Sequence, residues 1–146
     1  MNKNEIMMIE KELNISLPEL YKKTIENNPL SDKNRYSFVY DSLYDDANEI
    51  IKMNINLRDN GLQNKKWPIN LFAIGTNGVN CYYFIVLDEK DDGNIYFISD
   101  EEKYNPQKVN KHLFKKSYDN FIEHMVFMQN LLNRRKDEIE SKKKSV

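Results

Sequence analysis

"INLFAIGTNGVNCYYFIVLDEKDDGNIYFIS", residues 69–99, is the stretch that decides the fold of this chain. It holds three apolar segments that are rich in aromatic and β-branched residues, and turn-forming Gly, Asn and Asp residues separate them. This pattern predicts strands at residues 69–74, 80–87 and 94–99. Because short loops join consecutive strands, the sheet should be antiparallel.

The turn between the first two strands, Gly75-Thr76-Asn77-Gly78, raises the question of a phosphate-binding loop. A P-loop carries a Lys after its glycines, and both it and the dinucleotide-binding fingerprint lead from a strand into a helix. Here no Lys follows, and the next segment is a strand. Asn and Gly are favoured in tight turns because they accept positive φ angles. We therefore interpret this stretch as a turn and reject a phosphate site.

Two amphipathic helices are predicted at the start of the chain. Ile6, Ile9 and Leu13 recur at helical spacing, which predicts a helix over residues 4–13. A second helix begins at Pro18, since proline is tolerated in a first helical turn, where its missing N–H is not needed. Asparagine and proline residues near position 28 end that helix.

A strand and a third helix are predicted between these helices and the sheet. The alternating aromatic residues of RYSFVYD, residues 35–41, predict a half-buried strand. Asp46, followed three residues later by Glu49, resembles a capping box and opens the helix. We expect the helix to end at Gly61, because glycine accepts the left-handed conformation that ends many helices.

A long helix is predicted at the end of the chain, with Ser117 as its N-cap. A loop that holds a short edge strand precedes it. The apolar residues of the predicted helix lie mostly on one face; they are Tyr118, Phe121, Ile122, Met125, Met128, Leu131 and Leu132. The fold class is therefore α+β: an antiparallel β-sheet with N-terminal helices and a long C-terminal helix packed against it. We assign residues 1–133 to a single domain and 134–146 to a charged, frayed tail.

The charge is unevenly distributed along the chain. The net charge of the 146 residues is −1, but residues 134–146 contain six basic and three acidic residues, so this tail is +3 and the remainder −4. An acidic body fits a basic protein partner better than a nucleic acid. No apolar run approaches the roughly 20 residues that span a bilayer, and the charged N-terminus excludes a signal peptide. We expect a soluble, cytoplasmic protein without a membrane partner.

The residue pattern contains no recognisable catalytic, cofactor or metal motif. Cys81 is the single cysteine and lies in the predicted second strand, and the two histidines, His112 and His124, lack ligand spacing. A calcium loop that starts at Asp88 fails, because Lys90 would occupy a ligand position. We therefore expect no catalytic residue, no cofactor and no metal.

Acidic residues flank the predicted third strand at both of its ends. They are Asp88, Glu89, Asp91, Asp92, Asp100, Glu101 and Glu102. Such a run is commonly a solvated face, and the functional alternative is a recognition surface for a basic partner. Both interpretations remain open, and we assign these residues to partner binding.

Three separated segments resemble the SUKH superfamily. Residues 9–25, IEKELNISLPELYKKTI, resemble the first two helices of the superfamily. Residues 72–89 resemble its central hairpin, and residues 115–125, KKSYDNFIEHM, resemble its closing helix. The motif residues are Leu17, Pro18, Tyr21, Gly78, Asn80, Ser117 and Phe121. Asn80 departs from the family, which often has an acidic residue there; it keeps a side-chain acceptor but carries no charge. The glycine that usually follows the second helix is also missing.

The resemblance implies a binding function. Bacterial members of the superfamily are mostly immunity proteins that bind and neutralise a toxin, frequently a nuclease, and fungal relatives regulate cell-wall synthesis through protein contacts. We therefore expect a non-catalytic protein-binding module, an immunity protein whose partner is a cognate, basic toxin. The alternatives are a regulatory or scaffold domain without a toxin partner, and a hydrolase that uses the clustered acidic residues.

Overall fold

The computed structural model describes residues 1–27, 44–76, 81–88, 94–99, 103–105 and 116–144. In chain order the elements are α1 (Lys3–Leu13), α2 (Glu19–Glu26), α3 (Ala47–Asn60), β1 (Leu71–Thr76), β2 (Tyr82–Val86), β3 (Asn94–Ile98), β4 (Lys116–Ser117) and α4 (Tyr118–Lys144). The strands form an antiparallel sheet in the order β1-β2-β3-β4. This confirms the α+β class. The strand predicted at 35–41 lies outside the described residues.

Local capping sets the start of α1 and both ends of α3. The Asn2 side chain accepts the Glu5 N–H at 2.9 Å, and α1 consequently begins one residue earlier than predicted. Asp46 Oδ1 accepts the Glu49 N–H at 3.0 Å, as the capping pattern predicts for α3. Gly61 follows α3 with φ +72°, a backbone angle that favours glycine.

The first strand begins later and ends later than predicted. The Leu71 N–H donates to the carbonyl oxygen of Pro68 at 3.1 Å, so residues 69 and 70 form a turn rather than strand. Gly75 and Thr76 belong to β1 and pair with β2 across an irregularity in the register. The prediction that these two residues form a turn is therefore wrong. Residues 77–80 lie outside the described part of the chain.

The second strand is shorter than predicted, since β2 begins at Tyr82. Cys81 consequently precedes the strand, where it is half-buried, instead of lying in its middle.

Both faces of the sheet are covered by apolar side chains. Helices α1 and α2 cover one face, where Ile9, Leu13 and Tyr21 pack with Phe72 of β1. Trp67 and the residues around it cover the other face. Helix α3 lies beside β1 and contributes residues to both clusters. The hydrophobic core therefore fixes α3 at the edge of the sheet.

Hydrogen bonds attach α3 to this edge as well. Asn54 is 0% exposed, and its Nδ2 donates to the carbonyl oxygens of Ile50 and Ala73, at 2.9 Å each. Asn54 Oδ1 accepts the Ala73 N–H, also at 2.9 Å. The Tyr44 N–H donates to the carbonyl oxygen of Ile74 at 3.0 Å. An asparagine side chain and one backbone amide thus bond to backbone groups on the outer side of β1.

The last helix begins at Tyr118, directly after Ser117 of β4, and continues past Asn133 to Lys144. Described residues beyond Asn133 are mostly exposed. The packing of this helix against the sheet and the fraying of residues 134–146 stay predictions, because the side chains of its first turns lie outside the description.

Candidate protein-interaction site

Only one of the acidic residues assigned to partner binding lies in the described part of the chain. Asp88 follows β2 and is exposed, and its Oδ1 accepts a hydrogen bond from Asn70 Nδ2 at 3.2 Å. The others lie outside the described residues; they are Glu89, Asp91, Asp92, Asp100, Glu101 and Glu102. Their assignment to a recognition surface stays a prediction.

One glutamine holds the chain on both sides of the segment 100–102. Gln63 Nε2 donates to the carbonyl oxygen of Ser99 at 3.3 Å, and Gln63 Oε1 accepts the Tyr104 N–H at 2.9 Å. The Tyr104 ring stacks on Trp67 with 5.6 Å between ring centroids, and its hydroxyl donates to the carbonyl oxygen of Lys66 at 2.7 Å. Burial raises the pKa of Tyr104, which keeps that hydroxyl protonated as a donor.

The first motif segment forms the corner between α1 and α2. Glu10 Oε2 accepts the Leu17 N–H at 2.9 Å and lies 3.5 Å from Lys22 Nζ. Burial of Lys22 acts against its charge, but Glu19 and Glu10 outweigh this effect and raise the pKa of Lys22. Leu17 is buried and Pro18 is the N-cap of α2. These residues determine how the two helices join.

Tyr21, the next motif residue, is part of the core. Its ring packs edge-on against Phe72 with 5.5 Å between centroids. Burial, and secondarily the charge of Asp45, raises the pKa of Tyr21. Asp45 itself pairs with the N-terminal ammonium of Met1 at 2.8 Å. Tyr21 therefore stabilises the fold and is not displayed for a partner.

The other motif residues have less defined roles. Ser117 ends β4 and Phe121 lies in the first turn of α4, whereas Gly78 and Asn80 lie outside the described residues.

An open groove of about 760 Å³ runs beside α3. Among the residues that the structure describes, its lining includes Tyr44, nine residues of α3, Thr76 at the end of β1 and Tyr82 at the start of β2. The α3 residues are Asn48, Glu49, Ile51, Lys52, Met53, Ile55, Asn56, Asp59 and Asn60. Because α3 is attached to the sheet through its opposite face, this face is available to form one wall.

The groove combines an apolar surface with charged residues. Ile55 exposes 41% of its surface, and Ile51, Tyr44 and Tyr82 beside it are half-buried. Exposed apolar side chains that are grouped and surrounded by polar residues are typical of protein-interaction sites.

The charges of the groove are those of Glu49, Lys52 and Asp59, all of which are exposed. Among the residues that the structure describes, none forms an ion pair with Glu49 or Asp59. Glu49 lies in the first turn of α3, where the helix dipole stabilises a negative charge, but Asp59 lies in the last turn, where the dipole opposes it. The groove therefore carries an acidic residue that the stability of its own helix disfavours.

The sequence did not reveal this groove. Residues 44, 55 and 82 are far apart along the chain, and their proximity depends on the packing of α3 against β1. A usable signal was nevertheless present: Ile55 lies off the inward stripe that Ile50, Met53 and Leu57 form. An isoleucine on the outward face of a helix, away from its apolar stripe, indicates a candidate contact.

Within the described ranges, no group of three His, Cys, Asp or Glu side chains could hold a metal ion, and no helix has the length and apolarity to cross a membrane.

A family model described as the SMI1/KNR4 family (SUKH-1) matches residues 1–124. The chain belongs to this family. The match runs from α1 into α4 and confirms the resemblance that the three sequence segments indicate. No curated protein and no solved structure matches the chain. Membership of the SMI1/KNR4 family indicates a protein-binding module of the immunity-protein or regulator type.

Proposed function

We propose that this member of the SMI1/KNR4 family is a non-catalytic immunity protein that binds and neutralises a cognate toxin in the cytoplasm. The family match over residues 1–124 carries the proposal. The groove beside α3 supports it, because the groove offers apolar and charged side chains together on a helix that is firmly attached to the sheet. A rigid surface loses little conformational entropy on binding, which favours affinity.

The proposed mechanism is occlusion of the toxin. A bound immunity protein excludes the substrate by volume, and its charge selects the partner. Outside residues 134–146 the chain has a net charge of −4, which follows from a total of −1 and a tail of +3. A nuclease that grips phosphates presents a basic surface. Attraction between the two surfaces should therefore accelerate association and make it sensitive to salt.

Co-expression with any toxin domain that a neighbouring gene encodes tests this proposal. We expect the chain to restore growth of cells that produce the toxin domain, and the two purified proteins to form a stable complex. An unrelated toxin domain serves as the specificity control. If the chain neither binds nor protects against the neighbouring domain, the immunity function is wrong. An isolated locus and a complex with a non-toxin protein would instead support the regulatory alternative.

The predicted acidic surface can be tested with the same complex. Reversing the charges of Asp100, Glu101 and Glu102 together should lower the association rate constant roughly tenfold at low salt and less at high salt. Stopped-flow mixing at two salt concentrations measures both effects. An unchanged association rate at low salt would remove this segment from the interaction surface.

A further inference from the structure

Between Leu71 and Ile74, backbone groups on the outer side of β1 are already hydrogen-bonded within the described part of the chain. Partner binding by strand addition requires unpaired backbone N–H and C=O groups on an edge strand. The outward N–H and C=O of Ala73 both bond to the side chain of Asn54. The carbonyl oxygen of Ile74 accepts the Tyr44 N–H, and that of Leu71 accepts Trp67 Nε1–H at 2.9 Å. A partner that meets β1 between Leu71 and Ile74 therefore binds through side chains.

The groove supplies the side chains for such a contact. Ile55 is 41% exposed on the outer face of α3, and Tyr44 and Tyr82 belong to the same groove lining. Tyrosine is among the residue types that dominate binding energy at interfaces, and burial of Ile55 adds apolar area to the contact. An aliphatic side chain of the partner fits against this patch.

Two charged groove residues flank Ile55 along α3, Lys52 and Asp59, and the acidic one determines what binds on its side of that aliphatic side chain. Asp59 lies four residues after Ile55, so the two lie on the same face of α3 about one turn apart. Within the described part of the chain the Asp59 carboxylate has no ion pair, and the dipole of α3 opposes its charge. A cation from the partner would pair with the Asp59 carboxylate and would also offset the unfavourable effect of the helix dipole on its charge. A guanidinium suits the site best, because its planar group pairs with a carboxylate through two parallel hydrogen bonds.

We propose that this groove is the docking site for a segment of the partner protein in which an arginine neighbours an aliphatic residue. The arginine pairs with Asp59, and the aliphatic residue packs on Ile55. This inference rests on the proposed function in one respect only, namely that the occupant is a protein.

The first test does not need the toxin. Random peptides of about 12 residues, long enough to follow the groove as a helix, are displayed on phage and selected on the wild-type chain. We expect the enriched peptides to contain an arginine beside an aliphatic residue. Their binding should shift the backbone NMR signals of α3 and its neighbours. Enriched peptides without basic residues, a selection that yields no peptide, or shifts confined to other elements would each overturn the proposal.

Matched variants make the test specific. Asp59→Lys should weaken the binding of an enriched peptide at least tenfold, and Glu12→Lys should leave it within twofold of wild type. Glu12 is an exposed acidic residue in the last turn of α1 and lies outside the groove lining, so it reproduces the same charge change in the same helical position. Equal effects of the two variants would overturn the proposal.

A second pair of variants tests the apolar contact. Ile55→Asp should abolish peptide binding, whereas Ile69→Asp should not. Ile69 is 54% exposed and is not part of the groove lining, so the same substitution there controls for a general loss of solubility or fold.

The outcomes separate this inference from the proposed function. If the groove binds arginine-containing peptides but the chain does not protect against the neighbouring toxin, the docking site is supported and the immunity function is wrong. If the chain protects, and the Ile55→Asp and Asp59→Lys variants protect equally well, the immunity function is supported and the docking site is wrong. If the wild-type chain dimerises by light scattering and Ile55→Asp makes it monomeric, the occupant is a second copy and the proposal is wrong.

Discussion

Replacing Asn54 by alanine should be among the most destabilising single changes in the described part of the chain. Asn54 is the one buried polar residue there, and its amide makes three hydrogen bonds. Two of them satisfy the N–H and C=O of Ala73 on the outer edge of β1. Alanine removes both partners and leaves the Ala73 N–H and C=O facing the small space that the amide occupied.

The size of the effect follows from the groups that lose their partners. A buried backbone group that is left unpaired costs about 1–3 kcal/mol, and Ala73 would have two of them. The third bond, to the carbonyl oxygen of Ile50, adds less, because that oxygen lies within α3 and retains its helical partner. We expect Asn54→Ala to lower the free energy of unfolding by roughly 3–5 kcal/mol. A small domain has about 5–15 kcal/mol in total, so the variant should be only marginally folded.

Urea unfolding measures this loss directly. Trp67 is the single tryptophan and is buried, so its fluorescence reports unfolding of the core around it. Asn56→Ala is the matched control, since Asn56 is exposed on the same helix and, among the described residues, its side chain bonds only to Asn60. This variant should change the free energy of unfolding by less than about 0.5 kcal/mol. A loss below about 1 kcal/mol for Asn54→Ala, with an unchanged m-value, would refute the reasoning.

The pH dependence of a second variant tests which bond matters. Asn54→Asp retains an acceptor for the Ala73 N–H but places a carboxylate against the Ala73 carbonyl oxygen. Burial raises the pKa of the introduced carboxyl, so the folded state binds a proton more tightly than the unfolded state does. Its deficit relative to wild type should therefore be smallest in acid and should grow as the pH rises through the folded-state pKa. A deficit that is independent of pH would show that the donor to Ala73 is unimportant.

Three other changes follow from the same structure. Glu10→Ala removes the acceptor of the Leu17 N–H and should lower the free energy of unfolding by about 1–2 kcal/mol in urea, whereas Glu10→Gln, which keeps an oxygen acceptor, should lose less; equal losses would contradict this. Gly61→Ala would press a Cβ atom against the carbonyl oxygen of Lys65 at a positive φ and should cost about 1–3 kcal/mol, visible as a lower midpoint of thermal unfolding. Above pH 10 Tyr21 ionises in the unfolded chain, while burial keeps it neutral in the folded chain. The free energy of unfolding should therefore fall by up to about 1.4 kcal/mol per pH unit from this residue alone. Tyr21→Phe should flatten that decline, and parallel curves of stability against pH for the two proteins would exclude the effect.

The elements that sequence predicts well are those whose signals are local. Asp46 and Gly61 lie at the two ends of α3 as predicted, because an N-cap and a left-handed C-cap depend on a few neighbouring residues. The ends of β1 were missed for a different reason. Whether Ile69 is strand or turn depends on one hydrogen bond, from Leu71 to Pro68, that residue type does not encode. Gly75 belongs to β1 because of its pairing with β2, which turn propensity ignores.

The candidate site was predictable only in part. Asp88 stands out in the sequence because it begins an acidic run, and such composition is easy to recognise. Ile55 and Tyr82 are 27 positions apart, and nothing in the sequence links them before α3 is placed beside β1. The pairing of Asn54 with Ala73 is the contact that places it. Its signal was an asparagine within the apolar stripe of α3, which indicates a buried amide but not its partner.

Helix α3 thus serves stability and binding through opposite faces, and the two roles should respond differently to mutation. Asn54 on the inner face can affect binding only by unfolding the chain, so its variants should lose both properties together. Asp59 on the outer face is opposed by the dipole of its helix, so Asp59→Lys should raise the free energy of unfolding by about 0.3–1 kcal/mol while it weakens docking. Loss of stability in Asp59→Lys would indicate that the carboxylate has a partner within the fold. If Asp59→Lys leaves binding unaltered and increases stability, Asp59 is present in the groove for a reason other than docking.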